Sequence, residues 1–325
     1  MGRVDIQPER TMLAWSGTSA KINFNGTGVK AVLQDEGGNN YYNVIIDGTV
    51  TQRIQIDAQK HAYTLAANLP KANHTLELFK LTEWAMGKTW LYEFDLDAGS
   101  ALLAAPAIKK HKIEFFGNSI TCGFAVLDTT GKDRGSAPYE DNYQSYAAIT
   151  ARHFDAEYYC TARSGIGVLV SWFPQIMPEM YDKVDPSNLQ LKWDFTRYTP
   201  DLVVINLFQN DSWLVEHPEH PEFKARFGDK KPTPAQIVAA YQSFVKTIRS
   251  KYPKAQIICA LGSMDASREG SPWPGYIKQA VVGLKDKSIQ SFIFPAKNTP
   301  GHPSKKEQMD MANQLIGFID KNVKW

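Results

Sequence analysis

The chain has 325 residues, of which 36 are Lys or Arg and 34 are Asp or Glu, so its formal net charge is only +2. This length exceeds the usual size of a single domain and predicts two domains, each with enough residues for its own hydrophobic core. Because so small a net charge, without a block of like charges, produces no long-range field, we expect neither nucleic acid nor a membrane as a partner.

Short apolar or alternating runs fill the first hundred residues, and turn signals such as Asn25-Gly26 and Asp47-Gly48 separate them. Strands about ten residues apart, with an Asp-Gly hairpin between two of them, are typical of a β-sandwich or jelly roll. We therefore predict an all-β sandwich domain over residues 1–107. Its eight predicted strands are Met12–Trp15, Ala20–Phe24, Val29–Leu33, Tyr41–Ile46, Thr49–Ile56, Ala62–Ala66, His74–Leu81 and Trp90–Leu96.

The pattern changes after a less regular connection at residues 98–110. Apolar strands now alternate with helical stretches, and this βαβα order predicts an α/β domain with a parallel, doubly wound, flavodoxin-like sheet and helices on both faces, over residues 108–325. Two inserts, residues 128–141 and 182–200, are expected to rim its cleft. The predicted strands are Ile113–Phe116, Glu157–Cys160, Leu202–Leu207, Ile257–Leu261 and Phe292–Phe294, and the predicted helices are Tyr143–Phe154, Pro234–Tyr252, Tyr276–Leu284 and Lys305–Val323.

Ser119 follows the first strand of the α/β domain, after Gly117 and Asn118, two residues that tolerate the backbone angles of a sharp turn. In an open α/β sheet, ligands bind at the carboxyl ends of the strands, so a serine at this position can act as an exposed nucleophile. The alternative is structural: either Asn118 or Ser119 caps the next helix.

Four short blocks, in this order, resemble the SGNH (GDSL-like) hydrolase superfamily. The blocks are Gly117-Asn118-Ser119-Ile120, Ser164-Gly165-Ile166-Gly167, Asn206-Leu207-Phe208-Gln209-Asn210-Asp211 and Gly301-His302-Pro303-Ser304. The resemblance implies that Ser119 is the nucleophile of an acyl transfer and that His302 is its general base. As an alternative, His302 is only a loop histidine at a helix start. His217 and His220 lack a third ligand nearby, so we expect no metal site.

The oxyanion of such a hydrolase requires hydrogen-bond donors. By resemblance, these are the backbone N–H of Ser119, the backbone N–H of Gly165 and the side-chain amide of Asn210, with Gly167 as the alternative glycine. Either glycine could equally be a simple turn residue, and Asn210 an ordinary loop cap. We expect Asp211 to hold its loop rather than to react.

The sequence departs from the superfamily pattern in two places. An acid usually stands two or three residues before the histidine, but Thr299 and Pro300 occupy those places here. We therefore predict a Ser-His dyad, with His302 oriented by a backbone carbonyl from residues 298–300 or from elsewhere. Phe208 stands where the G-x-N-D block has glycine, and we expect it to change the floor of the site without affecting Asn210.

A β-sandwich followed by such a domain is similar to carbohydrate esterase family 2, whose members deacetylate xylan and glucomannan. The sandwich motifs that carry this resemblance are Trp15-Ser16-Gly17, Phe24-Asn25-Gly26-Thr27, Gly37-Gly38-Asn39-Asn40 and Asp47-Gly48. The resemblance implies an acetylated carbohydrate substrate, no metal and no organic cofactor. It also implies a secreted or periplasmic enzyme, whose signal peptide is absent from this chain. We expect Trp213 first, and Trp273 and Trp172 after it, to contact substrate through their aromatic faces.

Two alternatives to a carbohydrate esterase stay open. One is an inactive carbohydrate-binding protein, and the other is a short-chain lipase or thioesterase of the same superfamily. No long apolar lid is present, which favours the small acyl group. Cys122, Cys160 and Cys259 lie far apart and in or beside predicted strands, so we expect buried free thiols, and we expect the chain to be a monomer.

Overall fold

The computed structural model describes residues 1–325, and its first part is a sandwich of two five-stranded antiparallel sheets. The ten strands are β1 (Val4–Ile6), β2 (Thr11–Leu13), β3 (Ser19–Gly26), β4 (Val29–Asp35), β5 (Asn40–Ile46), β6 (Thr49–Ile56), β7 (His61–Ala66), β8 (Ala72–Lys80), β9 (Thr89–Leu96) and β10 (Ala101–Leu102). One sheet has the order β1-β2-β9-β4-β7 and the other β10-β3-β8-β5-β6. All eight predicted strands are confirmed, whereas β1 and β10 were not predicted, because runs of three and two residues carry no readable pattern.

Buried and exposed residues alternate along the strands of the sandwich, and the buried ones form the core between the two sheets. In β4, Val29, Ala31 and Leu33 are fully buried while Lys30 between them is exposed. A period of two residues points successive side chains to opposite faces, so one face of the strand packs inward and the other meets solvent. The sandwich prediction is thereby confirmed.

The second part is built on a five-stranded parallel sheet of β11 (His111–Gly117), β12 (Ala156–Ala162), β13 (Leu202–Asn206), β14 (Gln256–Leu261) and β15 (Ile289–Ile293). Its order, β12-β11-β13-β14-β15, is the 2-1-3-4-5 order of flavodoxin-like folds. The helices are α1 (Ser119–Cys122), α2 (Tyr146–His153), α3 (Met177–Met180), α4 (Gln209–Leu214), α5 (Pro221–Phe227), α6 (Pro234–Lys251), α7 (Trp273–Leu284) and α8 (Lys305–Asn322).

Side chains of β11 show how both faces of this sheet are covered. Ile113 and Phe115 belong to the core that contains residues of α2 and α8, whereas Phe116 belongs to the core that contains residues of α6 and α7. A buried parallel strand is apolar on both sides because helices lie on both sides. The predicted doubly wound architecture is confirmed.

The carboxyl ends of β11 and β13 are neighbours, since Gly117 pairs with Asn206 in the parallel register. This places the segments that follow both strands at one edge of the sheet. The predicted domain boundary at residue 107 lies between β10 and β11 and stays a prediction. All three cysteines are buried and free, as predicted. None of the helices combines the length and the apolar composition that a membrane-spanning helix needs.

Candidate active site

Ser119 is the first residue of α1, directly after the turn that ends β11. Asn118 caps this helix, because its Oδ1 accepts the N–H of Ile120 at 3.1 Å. The cap role therefore belongs to Asn118, and the Ser119 hydroxyl is left for other contacts. Gly117 is required at the turn, since a Cβ there would lie 2.0 Å from Oγ1 of Thr121.

His302 lies in the loop before α8, and its Nε2 is 2.8 Å from Oγ of Ser119. These two residues are 183 positions apart in the chain. The Phe124 ring packs against the imidazole, with 4.4 Å between the ring centroids. The nucleophile and the base predicted from the sequence are therefore within hydrogen-bond distance of each other.

The other imidazole nitrogen of His302 contacts a carboxylate, which corrects the prediction of a dyad oriented by a backbone carbonyl. Nδ1 lies 2.8 Å from Oδ2 and 3.0 Å from Oδ1 of Asp133, and the His302 backbone N–H donates to Oδ1 at 2.8 Å. Because an ionised carboxylate can only accept, Nδ1 carries the proton and Nε2 is free to accept from the serine hydroxyl. The hydrogen bond from His302 holds the pKa of Asp133 below its usual value, although partial burial opposes the shift.

Asp133 comes from the insert at residues 128–141, which was predicted to rim the cleft, and sequence reasoning missed its role. It is 169 residues from His302, so no spacing connects them. The sequence carries no signal for this contact beyond Gly301 itself, and the structure gives the reason for that glycine: its φ is +69°, and a Cβ there would lie 2.9 Å from Cγ of Asp133. The glycine permits the close approach of the carboxylate. The other insert, residues 182–200, contacts the sandwich instead, where Asp185 accepts from Trp84 and Lys88.

Two backbone N–H groups expected to face the oxyanion have no partner within the protein, namely those of Ser119 and Gly165. Gly165 has a φ of +81°, a conformation that favours glycine. The N–H of Gly167, in contrast, already donates to Oγ of Ser171 at 2.9 Å. Gly167 is therefore not available as a donor, which leaves Gly165.

The side-chain amide of Asn210 is held in one orientation by two neighbours. Trp172 Nε1 donates to its Oδ1 at 3.1 Å, and its Nδ2 donates to the backbone oxygen of Ile166 at 2.8 Å. An indole N–H can only donate and a carbonyl can only accept, so the amide cannot flip without losing both bonds. The second hydrogen on Nδ2 is left for another acceptor.

Asp211 holds the loop that contains Gly165, as predicted. Its fully buried carboxylate accepts the backbone N–H groups of Val168, Leu169 and Val170 at 2.6 to 3.2 Å. Burial raises its pKa to about 6, even though these hydrogen bonds favour the ionised form.

Of the three tryptophans expected to contact substrate, Trp273 is buried, and the prediction for it is wrong. It is only 5% exposed and packs against Phe208 in the core, because it begins α7 rather than lying in a loop. Phe208 itself is fully buried at a φ of +83°, which explains why glycine is usual there. Trp172 is 47% exposed. Trp213 lies in the wall of a cleft of about 540 Å³, mostly polar, that also contains Asp133 and Gly301.

Comparisons with known proteins agree with this architecture. The carbohydrate esterase 2 N-terminal family model matches residues 1–106, and the GDSL-like lipase/acylhydrolase model matches residues 115–294. The structure of a family two carbohydrate esterase from Clostridium thermocellum, in complex with cellohexaose, superimposes with a TM-score of 0.87 at 31% identity, over 98% of this chain and 97% of that one. The chain belongs to carbohydrate esterase family 2.

Two curated relatives of this family 2 chain are named as esterases. The cellulase/esterase CelE of Acetivibrio thermocellus is 32% identical over the whole chain, which spans only 39% of that longer protein. An acetylxylan esterase / glucomannan deacetylase of Cellvibrio japonicus is 25% identical over the whole chain, which spans 88% of that relative. The family is therefore one of ester-hydrolysing enzymes.

Proposed function

We propose that this family 2 chain is a serine esterase that removes O-acetyl groups from plant polysaccharides or oligosaccharides such as xylan and glucomannan. The observation that carries the proposal is the series of contacts through one imidazole: Ser119 Oγ to Nε2 at 2.8 Å, and Nδ1 to Asp133 at 2.8 Å. A relative named as an acetylxylan esterase / glucomannan deacetylase supports the substrate class.

In the first half of the reaction, Ser119 Oγ attacks the acetyl carbonyl carbon while its proton passes to Nε2 of His302. The carbonyl oxygen becomes an oxyanion that accepts from the N–H groups of Ser119 and Gly165 and from Nδ2 of Asn210. The C–O bond to the sugar then breaks, and the departing sugar oxygen takes the proton from Nε2. The products of this half are the deacetylated sugar and an acetyl ester on Ser119.

In the second half, a water molecule attacks the acetyl-enzyme, and His302 takes its proton. Collapse of the second tetrahedral intermediate returns this proton to the Ser119 oxygen and releases acetic acid, which ionises to acetate in solution. Asp133 keeps the imidazole in the tautomer that these transfers require and stabilises its charged form. We therefore replace the predicted dyad with a Ser119-His302-Asp133 triad.

The cleft beside the triad suits a sugar better than a long acyl chain. Its walls are mostly polar, with contributions from Asp265, Arg268, Lys297 and Asn298. Trp213 lines the same cleft, and its Nε1 donates to Asp265 at 3.1 Å. Because no extended apolar surface is available for a longer chain, we expect faster hydrolysis of acetyl than of butyryl esters.

We also propose that the protein works outside the cytoplasm, secreted or periplasmic, since polymeric xylan and glucomannan do not enter cells. We propose a monomer, because both the triad and the expected oxyanion donors come from one chain. Cell fractionation and light scattering test these two points.

Acetate release from a panel of acetylated xylan and glucomannan oligosaccharides tests the function, with Ser119→Ala as the matched control. We expect the wild type to release acetate and to cleave p-nitrophenyl acetate, and Ser119→Ala to do neither. If the wild type binds these sugars but leaves every ester intact, the protein is a carbohydrate-binding module instead. A preference for butyrate over acetate would favour the lipase or thioesterase alternative.

A further inference from the structure

The sandwich domain sends a buried acid, Glu83, into the wall of the catalytic domain. Glu83 follows β8 and is 1% exposed. Its Oε2 accepts the backbone N–H of Ser164 at 2.8 Å, and these two residues are 81 positions apart. Ser164 immediately precedes Gly165, whose N–H is one of the proposed oxyanion donors.

Hydrogen bonds to the backbone groups of Glu83 hold this residue in place. Its N–H donates to Oε2 of Glu140 at 2.8 Å, and its carbonyl oxygen accepts from Nζ of Lys80 at 3.3 Å. Both Lys80 and Glu140 are fully buried. A residue whose backbone N–H and carbonyl oxygen are both bonded to buried side chains has little freedom to move. Glu83 is therefore a fixed anchor for the segment that its carboxylate contacts.

The peptide group between Ser164 and Gly165 lies between two backbone groups that are both hydrogen-bonded. Before it, the Ser164 N–H donates to Glu83, and after it, the Gly165 oxygen accepts the backbone N–H of Trp172 at 3.0 Å. Between these two bonds lies the Gly165 N–H, which has no partner in the protein. Its direction is therefore set by the two flanking bonds, one of which comes from the other domain.

The carboxylate of Glu83 is also close to the segment that carries the nucleophile. Cys122, in the same short helix as Ser119, places its Sγ 3.8 Å from Oε2 of Glu83. On the other side, the guanidinium of Arg163 lies 4.5 Å from the ring of Trp84, the residue after Glu83. The Glu83 carboxylate thus touches α1, which carries Ser119, as well as the segment that contains Gly165.

We propose that Glu83 of the sandwich domain is a positioning residue for catalysis, which aims the Gly165 N–H at the oxyanion through its hydrogen bond to Ser164. This inference rests on the proposed esterase function. It assigns the sandwich a part in transition-state stabilisation, separate from any contact between the sandwich and substrate.

The experiment compares Glu83→Ala and Glu83→Gln with the wild type on p-nitrophenyl acetate. Glutamine keeps the length and one acceptor oxygen for the Ser164 N–H, whereas alanine keeps neither. Removing an oxyanion donor costs on the order of 10²- to 10³-fold in kcat, and a misdirected donor should cost less, so we expect Glu83→Ala to lose about 10- to 100-fold in kcat with KM nearly unchanged. Glu83→Gln should stay within about threefold of the wild type.

Lys88→Met is the control for a merely structural role. Lys88 belongs to the same connection between β8 and β9 and bonds Asp185 of the catalytic domain at 3.0 Å, but it has no contact with the Gly165 segment. We expect it to lower the unfolding temperature without changing kcat. A boronic acid, which adds to the serine hydroxyl as a tetrahedral anion, gives a second measure: its affinity should fall in Glu83→Ala by the same factor as kcat.

Each result decides a separate question. If wild-type protein does not hydrolyse the ester, the proposed function is wrong. If the wild type is active and Glu83→Ala matches it in kcat, or Glu83→Gln is as impaired as Glu83→Ala, only the role of Glu83 is wrong. Should Glu83→Ala not fold, Glu83→Asp, which keeps the charge but is one methylene shorter, replaces it with the same expected loss of kcat.

Discussion

Replacing Asp133 with asparagine tests the triad at the group that the sequence did not predict. The carboxylate accepts two N–H groups of His302, from Nδ1 and from the backbone. A carboxamide has only one acceptor oxygen, so an amide NH₂ must face one of these donors. If it faces Nδ1, the imidazole is driven to the other tautomer, in which Nε2 carries hydrogen and cannot take the proton of Ser119.

The size of the effect follows from the contact. A hydrogen bond to a charged group contributes about 1.5 to 3 kcal/mol, and tenfold in rate corresponds to about 1.4 kcal/mol. The Asp133 side chain is 33% exposed, so solvent screens part of its charge and the lower half of this range applies. We expect Asp133→Asn to lower kcat/KM by about 10- to 40-fold.

The assay is the pH profile of kcat/KM for acetyl ester hydrolysis, with two companion variants. Asp310→Asn, an exposed carboxylate of α8 paired with Lys306, should behave as the wild type. Asp133→Ala should be less impaired than Asp133→Asn, because it offers no NH₂ to hold the wrong tautomer. If Asp133→Asn keeps full activity, the carboxylate is dispensable and the Ser-His dyad stands.

Three further predictions concern the surroundings of the site. Trp172→Phe keeps an aromatic face but loses the donor that orients Asn210, so kcat should fall about 10-fold or more while KM changes little, as steady-state kinetics will show. Arg3→Ala leaves the buried carboxylate of Glu114 without its ion pair and should cost about 3 to 5 kcal/mol in the free energy of unfolding measured with denaturant. Burial raises the pKa of Asp211 to about 6, so between about pH 4 and pH 6 the folded state holds a proton that the unfolded state has released. The free energy of unfolding of the wild type relative to Asp211→Asn should therefore be greatest below about pH 4. It should decline by roughly 3 kcal/mol as the pH rises to 6. Denaturant titrations at several pH values measure this difference.

Local patterns were sufficient for the elements that carry the site. The apolar run before Gly117 predicts the strand that ends two residues before Ser119, and the Pro234 helix begins with Thr233 as its cap, as observed. These signals are strong because strand and helix periods, turns and caps depend on neighbours in sequence. Ser119 and His302, whose side chains are in contact, and the proposed oxyanion donor Asn210 were predicted in this way, with the help of a family resemblance.

Contacts between distant segments could not be predicted, because buried polar side chains are placed by the tertiary structure. Arg3 and Glu114 pair across 111 positions, and Glu83 reaches Ser164 across 81. The prediction for Trp273 failed in another way. A tryptophan near the motifs suggested a face that binds substrate, but the large apolar side chain is buried in the core. A single sequence cannot distinguish these cases, since an aromatic residue serves packing or binding equally well.

Asp133 contacts the imidazole where the acid of the superfamily pattern would be expected to do so. The superfamily pattern places an acid shortly before the histidine, but Thr299 and Pro300 stand there, and the sequence pattern alone therefore suggests that the acid is lost. In the proposed mechanism a carboxylate at Nδ1 fixes the tautomer of the imidazole, and a carboxylate from any segment of the chain can do this. In this chain the insert at residues 128–141 brings Asp133 to Nδ1, and Gly301 leaves the space for its carboxylate. A missing acid in the motif is thus evidence about the sequence position only, and the space around the histidine must be inspected before a dyad is inferred.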